Sequence, residues 1–186
     1  MADISSQLLD QVHHAISDRA PLNIQGGNSK DFMGRTASGE PLDVSDHTGI
    51  VEYHPVELVL TARAGTPLIE LENELATQNQ CLSFEPPQFG GDATIGGTLS
   101  ANQSGPARPW AGSVRDAVLG TRLINGKGEH LRFGGQVMKN VAGYDISRTL
   151  AGSMGTLGVI TEVTLKVMPK PEYSTTVMME LGAVEA

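Results

Sequence analysis

Three glycine-rich patches, far apart along the chain, restrict what this sequence can fold into more than any other feature. The longest is residues 92–105, Asp-Ala-Thr-Ile-Gly-Gly-Thr-Leu-Ser-Ala-Asn-Gln-Ser-Gly, with three glycines among small side chains. A second, residues 25–30, reads Gln-Gly-Gly-Asn-Ser-Lys, and a third, residues 152–158, reads Gly-Ser-Met-Gly-Thr-Leu-Gly. Glycine lacks a Cβ, so backbone can approach a ligand closely and adopt dihedrals other residues avoid. Such segments offer N–H groups to a phosphate, a carbonyl or a flat polar ring. Any one patch alone reads equally well as an ordinary turn. Three of them, each flanked by strand or helix signals, point to a large cofactor held by loops.

The flanking pattern is mixed α and β. Ile4, Leu8, Leu9, Val12, Ala15 and Ile16 recur at helical spacing behind Ser5 and Ser6, which are candidate caps. Residues 21–24 form a short strand running into the first glycine patch, and residues 42–44, 50–53 and 57–64 read as further strands. Thr66 is a candidate N-cap with Pro67 at the first helical position, before a helix whose Leu68, Leu71 and Leu75 share one face. Glu70, Glu72 and Glu74 point away from that face. After a break at Pro86-Pro87, residues 118–124 and 129–133 pair as a hairpin across Asn125-Gly126-Lys127-Gly128. Residues 158–167 form a last half-buried strand, ended by Pro169 and Pro171. The expected organisation is one lobe over about residues 1–80 and a second over about 81–175.

Composition removes several classes of function. The net charge is −8 and no Lys/Arg cluster occurs, which argues against nucleic acid or an anionic membrane as partner. No apolar run approaches the ~20 residues that span a bilayer. The first ten residues lack a basic-then-apolar leader, so the cytoplasm is the expected location. Cys81 is the one cysteine, which excludes a disulfide framework, a cysteine zinc site and an intrinsic iron–sulfur cluster.

The familiar nucleotide motifs fail on context. Gly152-x-x-Gly155-x-x-Gly158 precedes a strand, whereas a dinucleotide fingerprint must open a helix. Gly126-Lys127 is followed by Gly128 where a triphosphate loop needs Ser or Thr for magnesium. His13, His14, His47, His54 and His130 show no metal-ligand spacing and are expected at the surface. Ser104 and Ser153 have no neighbouring base to activate them. Residues 25–30 suit a different device, a strand delivering a tight turn whose successive N–H groups form an anion nest. Ser29 and Lys30 would add a hydroxyl and a positive charge.

Taken in order, residues 24–30, 57–65, 86–105, 110–120 and 139–171 resemble the PCMH-type FAD-binding domain of the vanillyl-alcohol-oxidase flavoprotein superfamily. Within it, residues 108–116 (Arg-Pro-Trp-Ala-Gly-Ser-Val-Arg-Asp) and 137–145 (Val-Met-Lys-Asn-Val-Ala-Gly-Tyr-Asp) are most similar to the glycolate oxidase E-subunit family. The likeness runs from about Pro21 to Pro171. It implies a two-lobed α+β domain with FAD extended between the lobes. Carried over by motif, Gln25, Gly26, Gly27, Asn28, Ser29 and Lys30 would cradle the diphosphate. Thr94, Ile95, Gly96 and Gly97 would meet the diphosphate and flavin side, with Ala101, Asn102, Ser104 and Gly105 close by. Gly158, Val159 and Ile160 would meet the adenine end.

Two departures from the family pattern follow. Members with covalent flavin carry a histidine in the first glycine loop, where this chain has Asn28, so the FAD is expected to be non-covalent. Members also continue into a substrate or cap domain after the strand near Val167, which is expected here to be absent or truncated. The resemblance implies an FAD-binding subunit of a 2-hydroxy-acid dehydrogenase acting on glycolate or D-lactate. A sister flavin subunit and an iron–sulfur subunit are the implied partners, and the complex could lie peripheral to the inner membrane. The alternatives are a non-catalytic FAD-binding or assembly subunit, and a reductase using FAD and NADPH on a cell-wall precursor. No catalytic residue is assigned.

Overall fold

The computed structural model describes residues 2–90, 92–136, 144–180 and 182. Most of the 137–145 phrase therefore lies outside the described residues. In chain order the elements are α1 (Ser5–Asp18), β1 (Leu22–Gln25), β2 (Glu40–Asp43), β3 (Ile50–His54), β4 (Val59–Arg63), α2 (Leu68–Ala76) and β5 (Gln80–Cys81). There follow α3 (Ile95–Ala101), α4 (Arg108–Ala111), α5 (Val114–Ala117), β6 (Val118–Ile124), β7 (His130–Gly134), α6 (Ile146–Thr149), β8 (Val159–Lys166) and β9 (Met168–Pro169).

β1 and β2 pair in parallel, Leu22 opposite Glu40 and Gln25 opposite Asp43. The main sheet has the order β3-β4-β8-β6-β7 with every pair antiparallel. It takes β3 and β4 from before residue 80 and β6, β7 and β8 from after it, and β5 pairs separately with β9. β8 lies at its centre, and all its residues but Lys166 are buried, so the strand expected to be half-buried is covered on both faces; the one buried charge on it, Glu162, is paired with Arg122 and Arg132. Two enclosed hydroxyls pair here: Thr61 and Thr164 meet across β4 and β8 at 2.9 Å.

Two apolar clusters sit on this frame. The larger joins α2, α3 and α5 to β4, β6 and β8, with Leu68, Leu71 and Leu75 of α2 fully buried as their spacing required. The smaller joins Leu8 and Val12 of α1 to Leu42, Val44, Ile124 and Val159. The turn of the β6–β7 hairpin closes on Asn125, whose Oδ1 accepts from the N–H groups of Lys127 and Glu129.

Three local expectations are corrected. The start of α1 is held by Asp3, not by Ser5 or Ser6: its carboxylate accepts from the Ser5 N–H at 3.0 Å and the Ser5 hydroxyl at 2.7 Å. Those hydrogen bonds lower the Asp3 pKa to about 2. Thr66 does not cap α2, because its hydroxyl is spent on Gly49, accepting from that residue's N–H at 2.9 Å. Pro67 occupies the cap position instead. His47 is not at the surface but 1% exposed, and its Nδ1 accepts from the Ile4 N–H at 3.1 Å. It fastens the start of α1 to the loop after β2.

Candidate functional site: a cleft closed by three glycine patches

The three patches meet. One cleft is lined by Gly26 to Lys30 from the first, by Thr94, Gly96, Gly97, Ser100 and Ala101 from the second, and by Met154, Gly155 and Gly158 from the third. Ile24, Val44, Ala64 and Ile160 form its apolar wall. The enclosed volume is about 160 Å³. Small-molecule pockets run roughly 300–1,000 Å³, so this space has room for a diphosphate-sized group and not for a whole dinucleotide.

The patches are tied to one another by main chain. The third is anchored to α3, because the Gly152 N–H donates to the Leu99 carbonyl and the Met154 N–H to the Ser100 carbonyl. The second docks on β4 and the loop that follows it, with the Gly96 N–H on the Ala64 carbonyl at 2.8 Å and the Ile95 N–H on the Thr66 carbonyl at 3.0 Å. A Cβ at Gly96 would lie 2.7 Å from the Ala64 Cβ, so this glycine serves helix-to-strand packing. Thr94 caps α3 by accepting from the Gly97 N–H at 3.2 Å. The first-turn N–H groups here are therefore used by the protein itself. This segment, read from sequence as a loop of free donors, is a short helix whose open face approaches the ligand space.

The first patch is the reverse. The N–H groups of residues 26–30 donate to no protein acceptor among the described residues. Asn28 adopts φ 52°, the left-handed conformation that anion nests employ. Lys30 sits half-buried beside them, its Nζ 3.2 Å from the Ser29 hydroxyl, with no carboxylate partner among the described residues. Burial pushes its pKa down. A desolvated ammonium next to unpaired donors is unfavourable until an anion fills the site. Asp31 also lines the cleft, but it is exposed and its charge is screened by solvent.

Of the residues assigned from sequence, Gly26, Gly27, Asn28, Ser29, Lys30, Thr94, Gly96, Gly97, Ala101, Gly158 and Ile160 line the cleft. Gln25, Ile95, Asn102, Ser104, Gly105 and Val159 do not. Strand alternation separates Ile24 from Gln25 and Ile160 from Val159. Ile95 is buried in the main core. Asn102 ends α3 with φ 51°, the Ser104 hydroxyl accepts from the Val114 N–H, and Gly105 packs on Glu85. Ser100 was missed, although it follows Gly96 and Gly97 by four and three residues and so shares their helix face. Ile24, Val44 and Ala64 were missed as well, strand alternation being the signal for Ile24; Met154 and Gly155 were not assigned individually but belong to the third patch, singled out as a whole. Among the described residues, no group of three or more His, Cys, Asp or Glu is placed to hold a metal.

An antiparallel sheet with a smaller parallel pair beside it, and a nest of free donors in the cleft where glycine turns converge, define a dinucleotide-binding α+β domain. The chain belongs to the FAD binding domain family, which it matches over residues 4–134. It is 56% identical to glycolate oxidase subunit GlcE of Escherichia coli strain K12, over 99% of this chain and 53% of that protein. It is 38% identical to glycolate oxidase subunit GlcD of Bacillus subtilis strain 168, over 74% of this chain and 29% of that protein. The chain thus spans about half the length of the first relative and under a third of the second. The structure of an alkyldihydroxyacetonephosphate synthase superposes with a TM-score of 0.72 over 91% of this chain and 31% of its own, at 23% identity. That likeness is one of fold, the two-lobed PCMH-type arrangement. No described helix is long and apolar enough to cross a membrane.

Proposed function

We propose that this chain is the FAD-binding part of a glycolate oxidase-type 2-hydroxy-acid dehydrogenase. The observation that carries the reading is the run of unpaired N–H groups at residues 26–30, with Lys30 beside it, facing the cleft in which all three glycine patches meet. That donor set suits a diphosphate, and FAD is the diphosphate cofactor the family implies. Oxidation of glycolate or D-lactate at the α-carbon would use FAD as hydride acceptor, the chemistry the cofactor brings to the site.

The chain's own groups bind and orient. The nest and Lys30 hold the diphosphate and neutralise its charge. Ile24, Val44, Ala64 and Ile160 exclude water from the enclosed section, while Gly97 and Ala101 leave room for close approach along α3. Asn28 offers no nucleophile for a covalent flavin link, which supports a non-covalent cofactor. Similarity to two subunits of glycolate oxidases supports assembly with a sister flavin subunit. A single cysteine supports an iron–sulfur partner as the exit for electrons, since this chain cannot ligate a cluster itself.

The test is anaerobic mixing of the FAD-loaded chain with glycolate or D-lactate, alone and together with a GlcD-type subunit. Bleaching of this chain's flavin, alone or beyond the bleaching that the GlcD-type subunit shows by itself, supports the dehydrogenase. FAD that binds but is never reduced in either mixture replaces it with a non-catalytic, FAD-holding role. Bleaching by NADPH alone would instead assign a reductase.

A further inference from the structure

Two aromatic rings near the cleft residue Lys30 lie outside both apolar clusters. Phe32, two residues beyond the nest, is 70% exposed, and Phe89, five residues before the Thr94 cap, is 48% exposed. They meet edge to face, ring centroids 5.2 Å apart and planes at 74°, which joins the first glycine loop to the segment leading into α3. Phe89 holds φ 45°, a left-handed conformation that is costly for a bulky residue and that clusters at ligand sites. The Lys30 ammonium lies 5.7 Å from the centroid of the Phe89 ring. The same cation thus touches both the diphosphate nest and this ring.

We infer that Phe89, braced by Phe32, is a stacking platform for a flat heteroaromatic ring of the dinucleotide whose diphosphate occupies the nest; this rests on the FAD reading above. The Phe32 edge fixes the tilt of Phe89, and Lys30 on the ring sets it beside the bound phosphates. A ligand ring carried by those phosphates covers apolar surface that is otherwise open to water. Asp31 and Lys30, the charged groups adjoining the pair on the nest loop, remain free to meet solvent and phosphate respectively. The adenine and the isoalloxazine share the chemistry required, and the probes below distinguish them.

The experiment is titration of the purified chain and its F89A, F89W and K30Q variants with FAD, with ADP and FMN as competitors and apo-protein melting as a fold control. Stacking predicts that F89A raises the Kd for FAD about 5- to 100-fold with the apo-protein still folded, and that F89W restores it. If ADP loses affinity in F89A, the ring is adenine. If FMN loses affinity and the F89W indole quenches the bound flavin emission, it is the isoalloxazine. An F89A Kd within about two-fold of wild type, while K30Q binds weakly, overturns the platform and leaves the FAD reading standing. Failure of F89W to restore binding also overturns it, since the loss would then be structural. A wild-type chain that binds no FAD overturns both.

Discussion

Gly27 and Asp92 are in direct backbone apposition: a Cβ built on Gly27 would overlap the Asp92 carbonyl oxygen. The first and second glycine patches thus approach each other main chain to main chain at this point. Gly97 differs, since a Cβ there would meet only the Thr94 hydroxyl, at 3.2 Å.

The two glycines should therefore fail differently. Gly27→Val forces the loops apart and should cost about 1–3 kcal/mol of stability as well as FAD binding. Gly97→Val should leave stability within about 1 kcal/mol, because valine is no worse than glycine in a helix, and should still lose FAD by filling the approach along α3. Chemical denaturation alongside flavin titration separates the two. Equal stability loss in both variants would remove Gly97 from the ligand surface.

Lys30→Gln should weaken FAD binding roughly 10- to 100-fold, the worth of one hydrogen bond to a charged group, and should flatten its dependence on salt. Burial lowers the Lys30 pKa, so the ammonium is lost on raising pH sooner than for a free lysine. FAD affinity should accordingly fall at alkaline pH in the wild type and much less in Lys30→Gln. Parallel pH slopes in the two proteins would place the diphosphate elsewhere.

Acid precipitation of the FAD-loaded protein should release all the flavin into the supernatant. Asn28 stands in the nest with φ 52°, a conformation asparagine tolerates and β-branched residues do not. Asn28→Gly should retain FAD, and Asn28→Val should lose it through the turn. Flavin remaining on the pellet, tracked by absorbance, would contradict a non-covalent site.

How much of this was legible depends on whether the signal was local. The β8 strand, the α2 stripe of Leu68, Leu71 and Leu75 and the Asn125 hairpin each announce themselves within ten residues, and each formed. The α3 helix did not, because Gly96 and Gly97 argue against helix by propensity. Thr94 as cap and docking on Ala64 overrule them. His47 looked polar because its neighbours are; only the distant Ile4 N–H, brought in by α1, gives it a buried role. The placing of β3 and β4 in the main sheet was equally hidden, since β4 joins it by pairing with β8 about a hundred residues on, and β3 follows through β4. In the cleft, composition singled out three patches that do come together, but which of their donors stay free is decided by tertiary contacts.

Stability should fall as the protein is acidified through the histidine range. Burial is the first cause lowering the pKa of both His47 and His130; Asp3 partly offsets it at His47, and Arg122 adds to it at His130. A folded-state pKa below the unfolded ~6.5 means that the unfolded chain binds more protons, so stability present at pH 7 is lost as pH drops below 6.5. His47→Asn, which keeps an acceptor for the Ile4 N–H, should shrink that slope and leave the part due to His130. Denaturation midpoints at pH 7 and 5.5 give the comparison, and an unchanged slope would show that His47 does not titrate with unfolding.

The central position of β8 also sets the order in which the molecule can assemble. β4 and β6, encoded earlier, are not neighbours in the sheet; each must pair with a strand that the ribosome delivers only after residue 158. Until then the nest at residues 26–30 exists without its opposite wall, since Gly158 and Ile160 are still unsynthesised. Such distant pairing makes folding slow and holds sheet edges open meanwhile. A nascent chain therefore has no place to lodge the dinucleotide until translation is nearly through this domain, and cofactor capture is a closing event of its maturation.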